Sequence, residues 1–402
     1  MKVMVVFGTR PEAVKLAPVI QELERRRVQG AAVTTRVVLT GQHRELVASM
    51  LALFQIEAHE DLKIMRPGQG LTQVTVRVLE GLEPILQRER PDWVVVQGDT
   101  TSAFAAALAA FYAHVPVAHV EAGLRTSSLW LPYPEEANRR LITRLATLHL
   151  AATPWAAANL QQEGVPPEAI RVTGNPVVDA LHQIRALPLR VAPDQEKRGE
   201  ADPLAVPPWA DEALRWLGEP GSLGILLTSH RRENWGEPLE RICRAVLHIL
   251  RAEPRARVLF PCHPNPRVRG VAQAILGGEA RVRLTEPLGY LPFLKAMERA
   301  SLILSDSGGV QEEAPAFGRP VLVLREETER PEAVEAGVAN LVGTDVDRIV
   351  TRALELLRQA GANRQTLPPA SPFGDGRAAP RIVSALLGEP VEPFQPSPGP
   401  GA

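Results

Sequence analysis

Short apolar runs rich in valine, isoleucine and leucine recur along the chain and alternate with longer stretches in which apolar residues return every three or four positions. VMVVF, TRVVLT, DWVVVQ, PVAHVE and LHLAAT read as buried strands, and the segments 11–27, 42–53, 99–113 and 136–146 between them read as helices. Strand alternating with helix is the signature of βαβ units in a parallel sheet. Periodicity fails over ALPLRVAPDQEKRGEADPLAVPPWA, residues 186–210, where proline and charge replace it. It then restarts, and GILLTS, ARVLFP, VRLTEP, SLILSD, PVLVL and ANLVG form a second set of strands. The pattern predicts an α/β chain of two Rossmann-like, doubly wound domains, 1–185 and 211–372, joined by a proline-rich linker over 186–210. A closing helix is expected over 373–388 and a disordered proline-rich tail over 389–402. Ligands of such sheets bind beyond the carboxyl ends of the strands, so a cleft between the two domains is the expected site.

Composition narrows the partners. The 402 residues carry 45 basic and 46 acidic side chains for a net charge of −1, so no global field draws the chain to nucleic acid or to an anionic membrane. Any anion site must be local. Two cysteines, Cys243 and Cys262, form no paired framework, and the N-terminus enters a strand without a signal-peptide pattern, which points to a cytoplasmic protein with free thiols. FAAALAAFYAHVPVAHV, broken by histidines and Pro116, falls short of the roughly 20 residues a membrane span needs.

Candidate chemistry gathers just past the strands. At VFGTRPEAVKLAP, Gly8 permits a sharp exit, Thr9 can cap, Pro11 suits a first helical turn, and Val14, Leu16, Ala17, Ile20 and Leu23 form the apolar stripe. A helix N-terminus with Arg10 and Lys15 beside it is an anion site in outline. It matches neither the G-x-x-x-x-G-K-[ST] loop nor G-x-G-x-x-G, which argues against a P-loop NTPase and a nicotinamide enzyme. Asp99 follows VVVQG, Glu121 follows VAHV, and Glu135 and Glu136 open a probable helix. Each alone could be a cap or a dipole partner; carboxylates at neighbouring strand ends are what acid–base work on a carbon centre requires. In the second half, TSHRRENWG concentrates His230, Arg231 and Arg232 at a strand exit. SDSGGVQEEAP offers Ser307 and the backbone N–H groups of Gly308 and Gly309 to an anion, with Glu312 or Glu313 able to accept both hydroxyls of a ribose. Together these features point to a sugar joined to a nucleoside diphosphate.

GTRPEAVKLAP, TGQHRE, QGDTTS, HVEAGLRT, PEEANRR, TGNPVVDAL, SHRRENWG, PCHPNP and SDSGGVQEEAPAFGRPVLVLREETERPE, in that order over about residues 1–385, closely resemble the non-hydrolysing UDP-N-acetylglucosamine 2-epimerases. The resemblance implies a two-domain fold like the B-type glycosyltransferases and conversion of UDP-N-acetylglucosamine to UDP-N-acetylmannosamine, a precursor of cell-surface polysaccharide. It implies a homodimer with no cofactor or metal and no nucleic-acid or membrane partner. By the same resemblance Asp99, Glu121 and Glu135 are the catalytic carboxylates, with Asp99 and Glu121 as the proton-transfer pair. Arg10 contacts the nucleotide with Lys15 near the site, and His230, Ser307 and Gly308 hold phosphate oxygens, His230 also supporting catalysis. Glu313 takes the ribose, Phe293 the uracil side, and Arg330 another nucleotide contact. Gln42, His43 and His263 are expected at a second, regulatory UDP-N-acetylglucosamine. The implied mechanism is elimination of UDP to a 2-acetamidoglucal and re-addition. The alternatives are a hydrolysing epimerase releasing N-acetylmannosamine, a B-type glycosyltransferase, and a non-enzymatic nucleotide-sugar sensor. The long linker and the added tail depart from the family without touching its motifs.

Overall fold

Strand exits decide where chemistry can sit in this chain, and sheet order decides which exits are neighbours. The computed structural model describes residues 1–42, 44–66, 68–192, 204–363 and 372–397. It divides into two units, Met1–Gln183 with Phe373–Pro396, and a second built on Ile184–Pro372.

In the first unit the strands are β1 (Lys2–Phe7), β2 (Thr34–Leu39), β3 (Glu60–Asp61), β4 (Trp93–Gln97), β5 (Val117–Ala122), β6 (Leu148–Ala151) and β7 (Ile170–Val172). They pair in parallel in the order β3-β2-β1-β4-β5-β6-β7. The intervening helices are α1 (Arg10–Val28), α2 (Arg44–Phe54), α3 (Leu71–Glu89), α4 (Thr101–Tyr112), α5 (Glu135–Leu145), α6 (Pro154–Gln162) and α7 (Pro176–Arg185). The second unit begins with a short parallel pair, β8 (Arg190–Val191) and β9 (Ala205–Val206). Its main sheet runs β12 (Val282–Thr285), β11 (Ala256–Pro261), β10 (Leu223–Thr228), β13 (Leu302–Ser305), β14 (Val321–Val323), β15 (Ala339–Leu341). Its helices are α8 (Pro208–Leu217), α9 (Glu237–Ala252), α10 (Pro266–Leu276), α11 (Tyr290–Arg299), α12 (Gly308–Glu313), α13 (Pro331–Glu335) and α14 (Val346–Asn363), and α15 (Ala378–Leu386) lies on the first unit. Both sheets are doubly wound: strand order reverses between β1 and β4 in one and between β10 and β13 in the other, and a ligand crevice belongs at each reversal. The valine- and leucine-rich strands are buried on both faces, as parallel strands covered by helices must be.

Three expectations are corrected or limited here. The linker expected over 186–210 ends in the start of α8. Pro208 sits at the first helical position, where its missing N–H costs nothing, so the prolines there initiate a helix. The tail expected to be disordered from 389 is ordered through 397. Phe394 is 2% exposed, its backbone N–H donates to the Val172 carbonyl at 2.9 Å on edge strand β7, and the Arg381 guanidinium lies 5.9 Å from its ring centre. A segment without periodicity can thus be held by one buried aromatic and one edge-strand bond, and neither leaves a repeating signal in the sequence. His43, residues 193–203 and residues 398–402 lie outside the described residues.

Candidate active site

Gly8 ends β1 in a place where only glycine fits, since a Cβ there would stand 1.8 Å from Thr40 Oγ1. The helix that follows is opened by Glu12. Its Oε2 accepts the N–H groups of Gly8 at 2.9 Å and Thr9 at 2.7 Å, and its Oε1 accepts Thr100 Oγ1 at 2.6 Å. Burial raises the Glu12 pKa, and these hydrogen bonds only partly oppose it. Thr100 in turn caps α4 by accepting the Ala103 N–H at 3.0 Å, so the exits of β1 and β4 are tied together. Arg10 is the first residue of α1, at that junction. Lys15, one turn on, is buried and reaches across to β5, its Nζ donating to both oxygens of Glu121 at 2.7 and 2.8 Å.

Glu121 owes its aim to the backbone. The β5–β6 register shifts between Val120 and Ala122, and Glu121 takes φ 62°, a left-handed conformation inside a strand. Its carboxylate also accepts Gln97 Nε2 from β4 and Asn175 Nδ2 at 3.4 Å. Asp99, on the turn after β4, is 24% exposed and accepts Arg139 Nε at 3.1 Å and Nη2. Asn138 Nδ2 donates to the Asp99 carbonyl at 2.9 Å. Both partners come from α5, which begins at Glu135. Glu136, fully buried, binds Arg139 and Arg140 at 2.7 Å each and the Thr126 N–H at 3.1 Å. Below this turn His119 Nε2 donates to the Gly98 carbonyl at 2.7 Å, and burial pushes its pKa down to about 3.

In the second unit the exits of β10 and β13 are joined by Thr228 Oγ1 and Ser305 Oγ, 2.9 Å apart. His230 follows β10 with its side chain about half exposed, and its Nδ1 lies 3.2 Å from Oδ1 of the buried Asp306. Ser307 and Gly308 open α12; a Cβ on Gly308 would stand 2.5 Å from Arg330 Nη1, so the guanidinium packs directly on that backbone. Arg330 is held by Glu312 and Glu329 at 2.5 Å each, and Glu329 also accepts Arg325 Nη1 at 2.8 Å. Glu313 accepts the Tyr290 hydroxyl at 2.8 Å from α11, the helix that carries the half-buried Phe293.

Arg10, Lys15, Asp99 and Glu121 therefore meet at the β1, β4 and β5 exits, with Glu135 at the head of the helix that grips Asp99. Gln42 joins them indirectly: its Oε1 accepts Ser102 Oγ at 2.8 Å, and it borders a groove of about 490 Å³ with Met65, Arg66, Gln69, Leu71 and Val74. His230, Ser307, Gly308, Gly309, Glu313 and Arg330 gather at the β10, β13 and β14 exits. His263 lies after β11, its ring 6.5 Å from that of Trp235, and burial lowers its pKa. The side chain of Arg232 is outside the described residues. Glu12, Gln97, Arg139, Asn175, Tyr290 and Asp306 are not among the candidates that the sequence offers. Thr9 and Glu12 do form a T-x-x-E capping pattern, and Asp306 directly follows a strand, so those two left a signal. Among the described residues no three His, Cys, Asp or Glu side chains form a group that could hold a metal ion, and no helix is long and apolar enough to cross a membrane.

The sequence model of the family described as UDP-N-acetylglucosamine 2-epimerase matches residues 25–387. A UDP-N-acetylglucosamine 2-epimerase of Yersinia pestis is 47% identical over 392 residues, covering 97% of this chain and 100% of the relative. The crystal structure of the Neisseria meningitidis UDP-GlcNAc 2-epimerase bound to UDP-GlcNAc superposes with a TM-score of 0.84 at 41% identity, over 97% of this chain and 100% of that one. That of the Methanocaldococcus jannaschii enzyme, in complex with UDP-GlcNAc and UDP, gives 0.78 at 31% identity, over 96% and 99%.

Proposed function

Because the chain belongs to the UDP-N-acetylglucosamine 2-epimerase family, we propose that the carboxylates of its first unit exchange the C2 proton while residues of its second unit hold the UDP. The activity is that of an isomerase converting UDP-N-acetylglucosamine to UDP-N-acetylmannosamine. C2 carries no carbonyl to acidify its hydrogen, so the reaction proceeds by elimination: a carboxylate removes the C2 proton, the C1–O bond breaks with its electrons on the diphosphate, and a 2-acetamidoglucal forms. UDP returns to C1 after C2 is reprotonated on the other face, which requires a second acid. Asp99 and Glu121 are the pair, and what supports this reading is their placement at the exits of neighbouring strands β4 and β5, each oriented by a buried cation. Glu135 orients the sugar or shares the acid role. Arg10 meets the departing charge with Lys15 close by, and His230, Ser307, Gly308, Gly309 and Arg330 bind the diphosphate side, where fixed donors stabilise charge as it develops. Glu313 takes the ribose, oriented by Tyr290, and Phe293 the uracil. A second UDP-N-acetylglucosamine activates the enzyme, and Gln42 and His263 are the residues on which that activation depends. The chain functions as a homodimer, a reading supported by exposed Leu71 and Val76 on α3 and Phe111 and Tyr112 at the end of α4; sedimentation as a monomer at micromolar concentration would refute it.

Proton NMR in deuterated water tests the chemistry. Deuterium is expected at C2 of the product and of the recovered substrate, and product retaining protium would exclude elimination. Started from pure UDP-N-acetylmannosamine, the same assay should show a lag that traces of UDP-N-acetylglucosamine abolish; immediate turnover would remove the regulatory site.

A further inference from the structure

Asp306 is assigned no contact with nucleotide or sugar, yet it is fully buried and surrounded by donors. It accepts Ser229 Oγ at 2.8 Å, the backbone N–H of His230 at 3.1 Å, that of Arg231 at 3.1 Å and Asn234 Nδ2 at 3.0 Å. Such a set of donors satisfies an ionised carboxylate and leaves no acceptor for a carboxylic acid proton. Burial alone would favour the neutral acid, but the hydrogen bond and charge of His230, with the bonds from Ser229 and Asn234, outweigh it and bring the Asp306 pKa down to about 2. A carboxylate with no proton to give can only accept. At 3.2 Å from Asp306 Oδ1, Nδ1 of His230 is therefore the nitrogen that carries hydrogen.

We propose that Asp306 is a positioning residue that locks the neutral His230 ring in its Nδ1–H form, leaving Nε2 of this half-exposed side chain as the nitrogen that takes up a proton and presents it to the departing diphosphate. This rests on the reading that His230 meets the diphosphate. When the C1–O bond breaks and its electron pair moves to the phosphate oxygen, Nε2–H of the imidazolium donates a hydrogen bond to that oxygen. Nδ1–H stays on Asp306 throughout, and when UDP adds back to C1 the Nε2 proton remains on the ring. Without Asp306 the ring is free to rotate or to place its neutral-state proton on Nε2, and the charge that stabilises the imidazolium is gone.

The test uses the full chain labelled with ¹⁵N-histidine, the His230 signals being assigned by their loss in His230→Gln. In the wild type without nucleotide, the neutral ring is expected to show Nδ1 protonated and Nε2 bare; a protonated Nε2 in the neutral ring overturns the proposal without any Asp306 variant. Addition of UDP should protonate Nε2. If UDP leaves Nε2 unchanged while Nδ1 stays protonated, the tautomer lock stands and the placement of His230 at the diphosphate fails. In kinetics, Asp306→Asn should lower kcat by about 10²-fold with a smaller change in KM. The double variant Asp306→Asn, His230→Gln should be no slower than His230→Gln alone, because Asp306 acts through that ring. Losses that multiply in the double variant would show a role independent of His230 and overturn the proposal.

Discussion

Glu121 adopts φ 62°, a conformation that costs a residue with a Cβ roughly 1–2 kcal/mol. The contacts of its carboxylate with Lys15, Gln97 and Asn175 are what hold it there. Asp99 is held differently, on an ordinary turn and by one arginine that also binds Glu136. This contrast separates two substitutions that remove the same chemistry. Asp99→Asn and Glu121→Gln should each lower turnover by about 10²–10⁴-fold with UDP affinity, read by calorimetry, little changed. Asp99→Asn leaves Arg139 paired with Glu136 and should melt near the wild type. Glu121→Gln removes the charge that faces the buried Lys15 ammonium at 2.7 Å and should also lose about 3 kcal/mol of stability in urea titration. Near-normal turnover in both would reduce these acids to structural roles.

At the scale of elements, α15 and the segment after it show how the first unit is finished. The N-terminus of α15 is capped from a distance: Asp179 of α7 accepts the N–H groups of Ala378 at 3.1 Å and Ala379 at 2.9 Å. Its C-terminal end is tied to α1 through Arg26 and Ser384, 3.0 Å apart. Phe394 then covers the edge of β7, an edge that would otherwise offer unpaired backbone groups to another chain. Phe394→Ala removes a buried ring and should destabilise the first unit by about 3 kcal/mol. Melting followed by near-UV signal, with light scattering for aggregation, checks this. An unchanged melt would mean that the segment rests on the surface without stabilising it.

For the molecule as a whole, buried titratable groups set the response to acid. Burial depresses His119 to about 3 and His149 to about 4, from 6.5. As pH falls below 6.5 the unfolded chain binds these protons and the folded chain does not, so stability present above pH 6.5 is lost on the way to pH 4. Asp179 acts in the opposite sense. Burial raises it from 3.8 to about 6, so between pH 6 and 3.8 the folded state binds a proton the unfolded state lacks, which offsets one of the two histidines. Glu12, also raised by burial, acts with Asp179, and His263, lowered by burial, acts with the two histidines. Each proton that burial keeps off a folded histidine corresponds to about 1.4 kcal/mol per pH unit between its unfolded and folded pKa. His149→Gln removes one such term, so between pH 6 and 4 its melting temperature should fall less steeply with acid than that of the wild type. The same pH profile in His149→Gln and in the wild type would contradict the burial of His149 as a neutral ring.

Hydrophobic periodicity alone determined that the chain is built of alternating strands and helices in two sets, because burial of a pleat or a helix face is written in residues close in sequence. The same locality made the strand exits legible, and with them Arg10, Asp99, Glu121, His230, Ser307 and Gly308 as candidates, while the order of the motifs made the family legible. The identity of each candidate's partner was decided only by the tertiary structure. Lys15 read as readily as a surface cation, and it finds Glu121 because sheet order sets β1 and β5 on either side of β4. Arg139 grips Asp99 from a helix that follows a different strand, Asp306 closes on His230 because β10 and β13 are neighbours, and Asp179 caps a helix nearly two hundred residues away. Phe394 is the limiting case, a lone aromatic in a proline-rich segment whose burial depends on a sheet edge that no local pattern describes. Long-range pairing is fixed by which strands lie side by side, and that order is a property of the folded sheet, absent from any window of the sequence.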